Sequence, residues 1–329
     1  MSLFLPLTIL ATGKALPSRC VLSSELDLQL GKPRGHVQKR SGMVQRYYAR
    51  DDECQSDLAA RALQDALARA DLRPGSIDLL LSASGVQEQA LPATASRILD
   101  VAGLPDGTPG FDIAASCLSF LAALHVAASL LNTGSYKRIA VVASDLASRG
   151  IDWGCAEASL IFGDGAAAAI VERGDGASGI ESYLLHTYPA GKALCEIRAG
   201  GTRRNPRVGV EPSDFLFRMD GKGVFKMAAG VIDEVLERLL AQAGVGLDAI
   251  QTIVPHQASH LGMRHMVQRL KVAPGKIIDI YATHGNQVAA SIPTALHEAF
   301  VTGRAGPGSR IMMFGTAAGL SVGGMVVRL

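Results

Sequence analysis

Three side chains in this sequence stand where a strand-like run passes into a helix-like one, and each is of a type that does chemistry. Cys117 follows "FDIAAS" and precedes "LSFLAALHVAASLL", so a buried strand is expected to deliver its thiol to the first turn of a buried helix. There the helix dipole favours the thiolate, which is the attacking species, and a lowered thiol pKa makes a useful nucleophile near neutral pH. The alternative is a cysteine that serves as a small apolar core side chain. His256, in "IVPHQASH", follows an apolar strand, where parallel sheets present groups to a cleft at their carboxyl ends; its alternative is a histidine satisfied by nearby backbone. Asn286, in "THGNQVAASIP", lies at a turn before "QVAASIPTALHEAF", and its alternative is a helix cap. Recurrence at equivalent strand-to-helix corners argues that the three share a site.

For such corners to meet, strands and helices must alternate along the chain. "IDLLLSAS" (77–84), "KRIAVVAS" (137–144), "IQTIVPHQ" (250–257) and "RIMMFGT" (310–316) read as short buried parallel strands. "SDLAARALQDALARADL", with Ser56 as its cap, and "KGVFKMAAGVIDEVLERLLAQAG" repeat apolar residues at helical spacing. This grammar predicts an α/β fold with helices on both faces of mostly parallel sheets. The glycine-rich "VERGDGASG" (171–179) divides the chain into halves of residues 1–172 and 173–329. Each half has a helix, a strand ending in "LSASG" or "VPHQAS", a further helix and strand, and a reactive residue at a turn. The stretch 187–214 is the longest without periodicity and is expected to be a functional loop.

Composition removes several function classes. With 48% hydrophobic and 19% charged residues and a net charge of +2, the chain of 329 residues predicts a globular protein with no dominant basic surface for nucleic acid or anionic membrane. Its five cysteines, at 20, 54, 117, 155 and 195, are odd in number and lack metal-ligand spacing, which argues against a disulfide framework and against structural zinc. The opening "MSLFLPLTILATGKALP" has no basic residue before its apolar stretch and an early proline, and reads as a first strand rather than a signal peptide. No apolar run approaches the roughly 20 residues of a membrane helix. A soluble, cytoplasmic protein is expected.

"DIAASCLSF", "LIFGDGAAAAIVE", "MDGKGVFKMA", "PHQAS", "HGNQVAASIP" and the closing "FGTAAGLSVGGMVVRL" resemble, in order and over nearly the whole chain, the motifs of the β-ketoacyl-acyl-carrier-protein synthase III family of the thiolase superfamily. The early "HVQKRSGMVQRYYA" resembles that family's segment near the substrate entrance, with Arg40 at the matching arginine. The resemblance implies a thiolase-like five-layer αβαβα fold of two related halves, a homodimer, and a catalytic set falling on Cys117, His256 and Asn286. It implies acyl transfer to Cys117 and then decarboxylative Claisen condensation with a malonyl thioester, without a metal or a permanently bound cofactor. The substrates would be acyl-CoA or acyl-ACP and malonyl-ACP or malonyl-CoA, and the partner an acyl carrier protein. Backbone N–H groups near Cys117 and in the "FGTAAG" loop, at Gly315 and Thr316, would hold the oxyanion. Leu91 matches a position that the partner subunit adds to the acyl pocket. Phe225 and Lys226 match an entrance segment, where Lys226 attracts an acidic carrier or a phosphate or is simply a solvated lysine. Gly163, Asp164 and Gly165 are expected to form a structural turn.

The resemblance is incomplete at the entrance. Family members that grip the adenine of coenzyme A commonly use a tryptophan and an arginine, and the matching residues here are His36 and Ala156. Ser119 replaces a usual glycine, while Lys222 and Ser259 replace usual asparagines, and the closing glycine loop is longer. These changes suggest a specialised member, in secondary metabolism or with an unusual primer. Arg198, Arg203 and Arg204 are read as solvated surface rather than as a site for an acidic substrate. Rival readings are an acyltransferase that passes the acyl group to an oxygen or nitrogen nucleophile, and a non-enzymatic acyl-binding partner subunit. A degradative thiolase would need a second cysteine near the C-terminus, and none follows Cys195. A papain-like hydrolase would place its cysteine in a different context.

Overall fold

The structure, a computed structural model, describes residues 4–155 and 158–329. Two five-stranded sheets carry it. The first runs Thr8–Ala15, Gly165–Glu172, Arg138–Asp145, Leu79–Ser82, Gly110–Asp112. Its successive pairings are antiparallel, antiparallel, parallel and parallel. The second runs Leu5–Pro6, Gly179–Thr187, Ser321–Arg328, Arg310–Ala317, Thr252–Pro255. After its short edge strand it repeats the order antiparallel, antiparallel, parallel, and a parallel bridge from Ile253 to Ile277 stands where the first sheet has its fifth strand.

The opening strand of the sequence is divided between the sheets: Leu5–Pro6 pairs with Gly179 and Ile180, and Thr8–Ala15 pairs with Gly165–Glu172. Buried Leu7 lies between these two segments.

Packing makes five layers. Helices Gln55–Arg69 and Thr94–Val101 cover the outer face of the first sheet, through a core that includes Leu58, Leu63, Ile98, Val142 and Ile170. Helices Ser119–Asn132 and Ser291–Val301 lie between the sheets, their Phe120, Leu124, Ile292 and Leu296 packing with Val141 of one sheet and Met313 of the other. Helices Ile232–Ala243 and His260–Leu270 cover the second sheet through Val235, Leu239, Met263, Met312 and Val326. Fully burying each such side chain stabilises the fold by about 1.5–3 kcal/mol. The strand "GAAAAIVE" is rich in alanine, a residue depleted in strands, and small side chains let helices approach both of its faces. Gly13 marks how close that approach is, since a Cβ there would lie 2.2 Å from the carbonyl oxygen of Ala62.

The helix expected to start at Ser56 begins at Gln55, with Cys54 as its cap and the Asp57 carboxylate accepting the Cys54 N–H at 3.2 Å. Ser56 is inside the first turn, where its N–H donates to Glu88 instead. The single helix expected from "KGVFKMAAGVIDEVLERLLAQAG" is two, Gly221–Ala229 and Ile232–Ala243, parted at Gly230 and Val231. The second buries a stripe against the sheet whereas only Ala228 of the first is buried, so one straight cylinder does not serve both surfaces.

Candidate active site

Cys117 lies in a short 3-10 turn, Ser116–Leu118, directly before the central helix Ser119–Asn132. Ser116 holds φ at 53°, a left-handed conformation rare for a non-glycine residue. Ser119 stitches this turn together: its buried hydroxyl accepts the Ala115 N–H at 2.9 Å and reaches the carbonyl oxygens of Ser116 at 2.7 Å and Ser84 at 3.1 Å. Ser119 thus braces the nucleophile turn from beneath.

The thiol does not behave as the helix-dipole argument predicts. Cys117 opens on a cleft, yet burial pushes its thiol up to about 12, and the nearby Asp145 carboxylate pushes the same way. The backbone N–H groups of Ala318 and of Cys117 itself hydrogen-bond the sulfur and pull in the opposite direction, and Cys195 adds a smaller upward push. Desolvation of the charged form outweighs these backbone donors. The resting group is therefore a thiol.

His256 follows the strand Thr252–Pro255, and its N–H donates to the carbonyl oxygen of Phe314 at 2.8 Å. Burial holds the imidazole down at about 4, which keeps it neutral at physiological pH, and its Nδ1 is buried with no hydrogen-bond partner among the described residues. Gly315 brings two parts of the site together: a Cβ there would lie 2.5 Å from the Cβ of His256 and 3.3 Å from Leu118, beside Cys117.

Asn286 is held as firmly. Its backbone bridges Phe162, with its N–H on the Ile161 carbonyl at 2.8 Å and its carbonyl accepting Gly163 N–H at 3.1 Å. Its Oδ1 accepts the Val288 N–H at 2.9 Å, and its Nδ2 donates to the Ala258 carbonyl at 3.1 Å, two residues beyond His256. Asn286 is not the helix cap, since Gln287 stands at that position of the Val288–Ala290 turn without a side-chain cap bond; the Asn286 Oδ1 instead closes a local turn with the Val288 N–H, which leaves one proton of Nδ2 to spend. Val288 itself stands at φ 52°, costly for a β-branched residue.

Cys117, His256 and Asn286 all line one cleft of about 1600 Å³. Gly315, Thr316, Arg40, Lys222 and Phe225 line it too. His36 and Lys226 do not: His36 sits one turn before Arg40 on helix His36–Ser41, and Lys226 points outward beside the half-exposed Phe225. Leu91 is 84% exposed and outside this cleft. Ala156 lies outside the described residues. The loop at 187–214 contributes Gly191, Leu194, Cys195 and Ile197 to the wall, while Arg198 pairs with Asp214, and Arg203 with Glu196 at 3.0 Å. Ser259 caps helix His260–Leu270 through Gly262 N–H at 3.1 Å, a role that serine fills well. Asp164 accepts N–H groups of Ala49 and Ser148, and a Cβ on Gly163 or Gly165 would strike the 284–287 segment, so this turn supports Asn286 from behind.

Sequence reasoning missed Asp145, Ala318 and Cys195. An acid closing the buried run "VVASD" was the available sign of Asp145, which burial pushes up to about 7 against the pull of several backbone N–H donors. Nothing in sequence spacing brings Cys195 near Cys117. Among the described residues no group of three or more His, Cys, Asp or Glu side chains is placed to hold a metal, and no helix is long and apolar enough to cross a membrane.

Comparison with known proteins gives the family of the chain. Residues 111–189 match the model of 3-oxoacyl-[acyl-carrier-protein] synthase III and residues 240–329 match its C-terminal model. The chain is 35% identical over 323 residues to the β-ketoacyl-[acyl-carrier-protein] synthase III of Erythrobacter litoralis, covering 97% of this chain and 98% of that protein. Crystal structures of the Aquifex aeolicus and Pseudomonas aeruginosa synthases III superpose with a TM-score of 0.88 at 28% identity over 98% of this chain, covering 100% and 98% of theirs. With its thiolase-like fold, the chain belongs to the 3-oxoacyl-[acyl-carrier-protein] synthase III family of acyltransferases.

Proposed function

We propose that this protein forms a β-ketoacyl thioester in two half-reactions at the cleft holding Cys117, His256 and Asn286. The observation that carries the reading is the convergence of these three on one cleft, with the N–H groups of Ala318 and Cys117 directed at the sulfur. In the first half-reaction the Cys117 sulfur attacks an acyl thioester carbonyl while its proton is relayed through His256 to the departing thiolate in one concerted transfer that leaves the imidazole neutral. The Ala318 and Cys117 N–H groups hold the tetrahedral oxyanion. Thr316 stands one strand residue beyond Gly315, whose role is to leave room for His256.

In the second, a malonyl thioester loses carbon dioxide and the electron pair becomes an enolate. Its oxygen is held by an imidazole N–H of His256 and the remaining N–H of Asn286, both neutral donors in a water-poor site. The enolate carbon attacks the acyl-enzyme carbonyl and the Cys117 thiolate leaves, then takes up a proton from solvent, because its own departed with the donor thiol in the first half-reaction. No cofactor is needed at any step.

The donors proposed are acyl-CoA or acyl-carrier thioesters, with Arg40 and Lys222 at the cleft attracting the phosphate or the acidic carrier. A homodimer is proposed as well. Strand Gly110–Asp112 ends its sheet, its middle residue Phe111 is 41% exposed, and Leu91 is exposed as well. A second copy adding its own edge would satisfy those backbone groups and cover the apolar residues. The division of the chain into 1–172 and 173–329, and a cytoplasmic location that keeps Cys117 reduced, complete the reading.

Intact-protein mass spectrometry after incubation with acyl-CoA and acyl-carrier thioesters tests it. Wild type should gain the acyl mass and the Cys117→Ala variant should not, and malonyl-carrier should then discharge the acyl group as a β-ketoacyl product. Discharge to an added alcohol or amine instead would make the protein an acyltransferase to oxygen or nitrogen. No adduct with any donor would sink the reading.

A further inference from the structure

We infer that Asp145 is a positioning residue for the condensation half-reaction, holding the Asn286 turn in place by tying it to the loop that begins at Gly85. The inference rests on the function proposed above. Asp145 ends a central strand of the first sheet and is 2% exposed, and no cation pairs with it among the described residues. Its oxygens are taken up by backbone. Oδ1 accepts Gly85 N–H at 2.9 Å and Val86 N–H at 3.0 Å, and Oδ2 accepts Ala289 N–H at 3.1 Å. One carboxylate therefore fastens segments 203 residues or more apart in sequence, since Ala289 and Val86 differ by that much.

The second of those segments carries Asn286. Ala289 follows Val288, whose N–H fixes the Asn286 carboxamide at 2.9 Å and whose φ of 52° persists only if its neighbours impose it. Gly85 supplies the opposing wall, for a Cβ on it would stand 2.4 Å from Val288 Cγ1. Without the carboxylate, Val288 is free to relax to negative φ, and the amide that orients Asn286 turns away. The Cys117 turn has its own brace in Ser119, so acylation does not depend on this fastening. Asp145 acts through Asn286 and forms no bond to the reacting atoms.

Asp145→Asn tests this, because a carboxamide offers one acceptor and one donor, and so one of the two fastened segments loses its acceptor. Two half-reactions are timed separately: Cys117 acylation by mass spectrometry, and carbon dioxide release from malonyl thioester by the pre-acylated enzyme. Acylation should not fall below about a third of the wild-type rate, and rises where loss of the Asp145 charge eases ionisation of Cys117, while decarboxylation falls by about 30-fold or more; Asn286→Ala added to Asp145→Asn should cost decarboxylation no more than Asn286→Ala alone. Equal loss in both half-reactions, or full multiplication of the two variants, overturns the inference. If Asp145→Asn does not fold, Gly85→Ala presses on Val288 while leaving the carboxylate intact. It should give the same split between half-reactions and be relieved by Val288→Ala, and a variant without the split overturns the inference. A wild type that never acylates would instead remove the functional reading on which this rests.

Discussion

Gly315 faces His256 so closely that a methyl group added to the glycine would stand 2.5 Å from the histidine Cβ. The contact is with an atom fixed to the backbone, so the histidine cannot swing away from it. Gly315→Ala should therefore displace the imidazole, lowering condensation on the order of 100-fold. Overpacking should also cost about 1–3 kcal/mol of stability, read from urea melts. Wild-type activity in that variant would show that His256 has more freedom than its surroundings indicate.

The pH behaviour of the nucleophile follows from its burial. A thiol pushed up to about 12 is almost wholly protonated across the physiological range. Its alkylation by iodoacetamide should then rise about tenfold per pH unit from about pH 7 to 10 without levelling off. The Asp145 charge is one cause of the upward push, so Asp145→Asn should raise the alkylation rate at a given pH. A plateau below pH 9 would show that the dipole prevails after all.

His256 has the opposite sign. Its folded value is depressed from 6.5 to about 4, so the neutral donor persists as pH falls until that value is reached. Protonation of His256 should depress decarboxylation by the acylated enzyme only near pH 4, whereas a decline near pH 7 that disappears in Asp145→Asn belongs to the Asp145 carboxyl, which burial pushes up to about 7. Between 6.5 and about 4 the unfolded chain takes up a proton that the folded chain refuses, and stability is lost as pH falls through that window. His256→Gln should remove part of this acid sensitivity in thermal melts.

Ser119 makes a prediction about the nucleophile turn. Ser119→Ala leaves the Ala115 N–H without its acceptor, at a cost of about 1–3 kcal/mol, and frees Ser116 to leave φ 53°. Acylation should slow more than the decarboxylation measured on enzyme already acylated, the reverse of the Asp145→Asn pattern. Stopped-flow release of the donor thiol reads the first step directly.

At the mouth of the cleft, Arg40 and Lys222 should matter only for donors that carry charge. Reversing both to glutamate should raise KM for acyl-carrier or acyl-CoA by about tenfold or more at low salt, and the loss should shrink as salt is added. Acyl-N-acetylcysteamine, which has no phosphate, should react as it does with wild type.

Much of this protein was determined by its sequence alone. Cys117, His256 and Asn286 each stand at a corner where apolar periodicity changes, a local signal that backbone geometry makes legible. The α/β alternation followed from the same signal, because strand and helix bury their residues at different periods. Other features were decided only by tertiary structure. The Ser56 N–H, inside the first turn of a helix that Cys54 and Asp57 cap locally, is satisfied by Glu88 from a separate segment. The thiol of Cys117 stayed protonated because the enclosing fold strips it of water and sets Asp145 beside it, and desolvation is a property of the surroundings rather than of the segment. Asp145, Ala318 and Cys195 joined the site from three distant parts of the chain. Burial and through-space contact depend on the whole set of packed neighbours, and no local spacing encodes them.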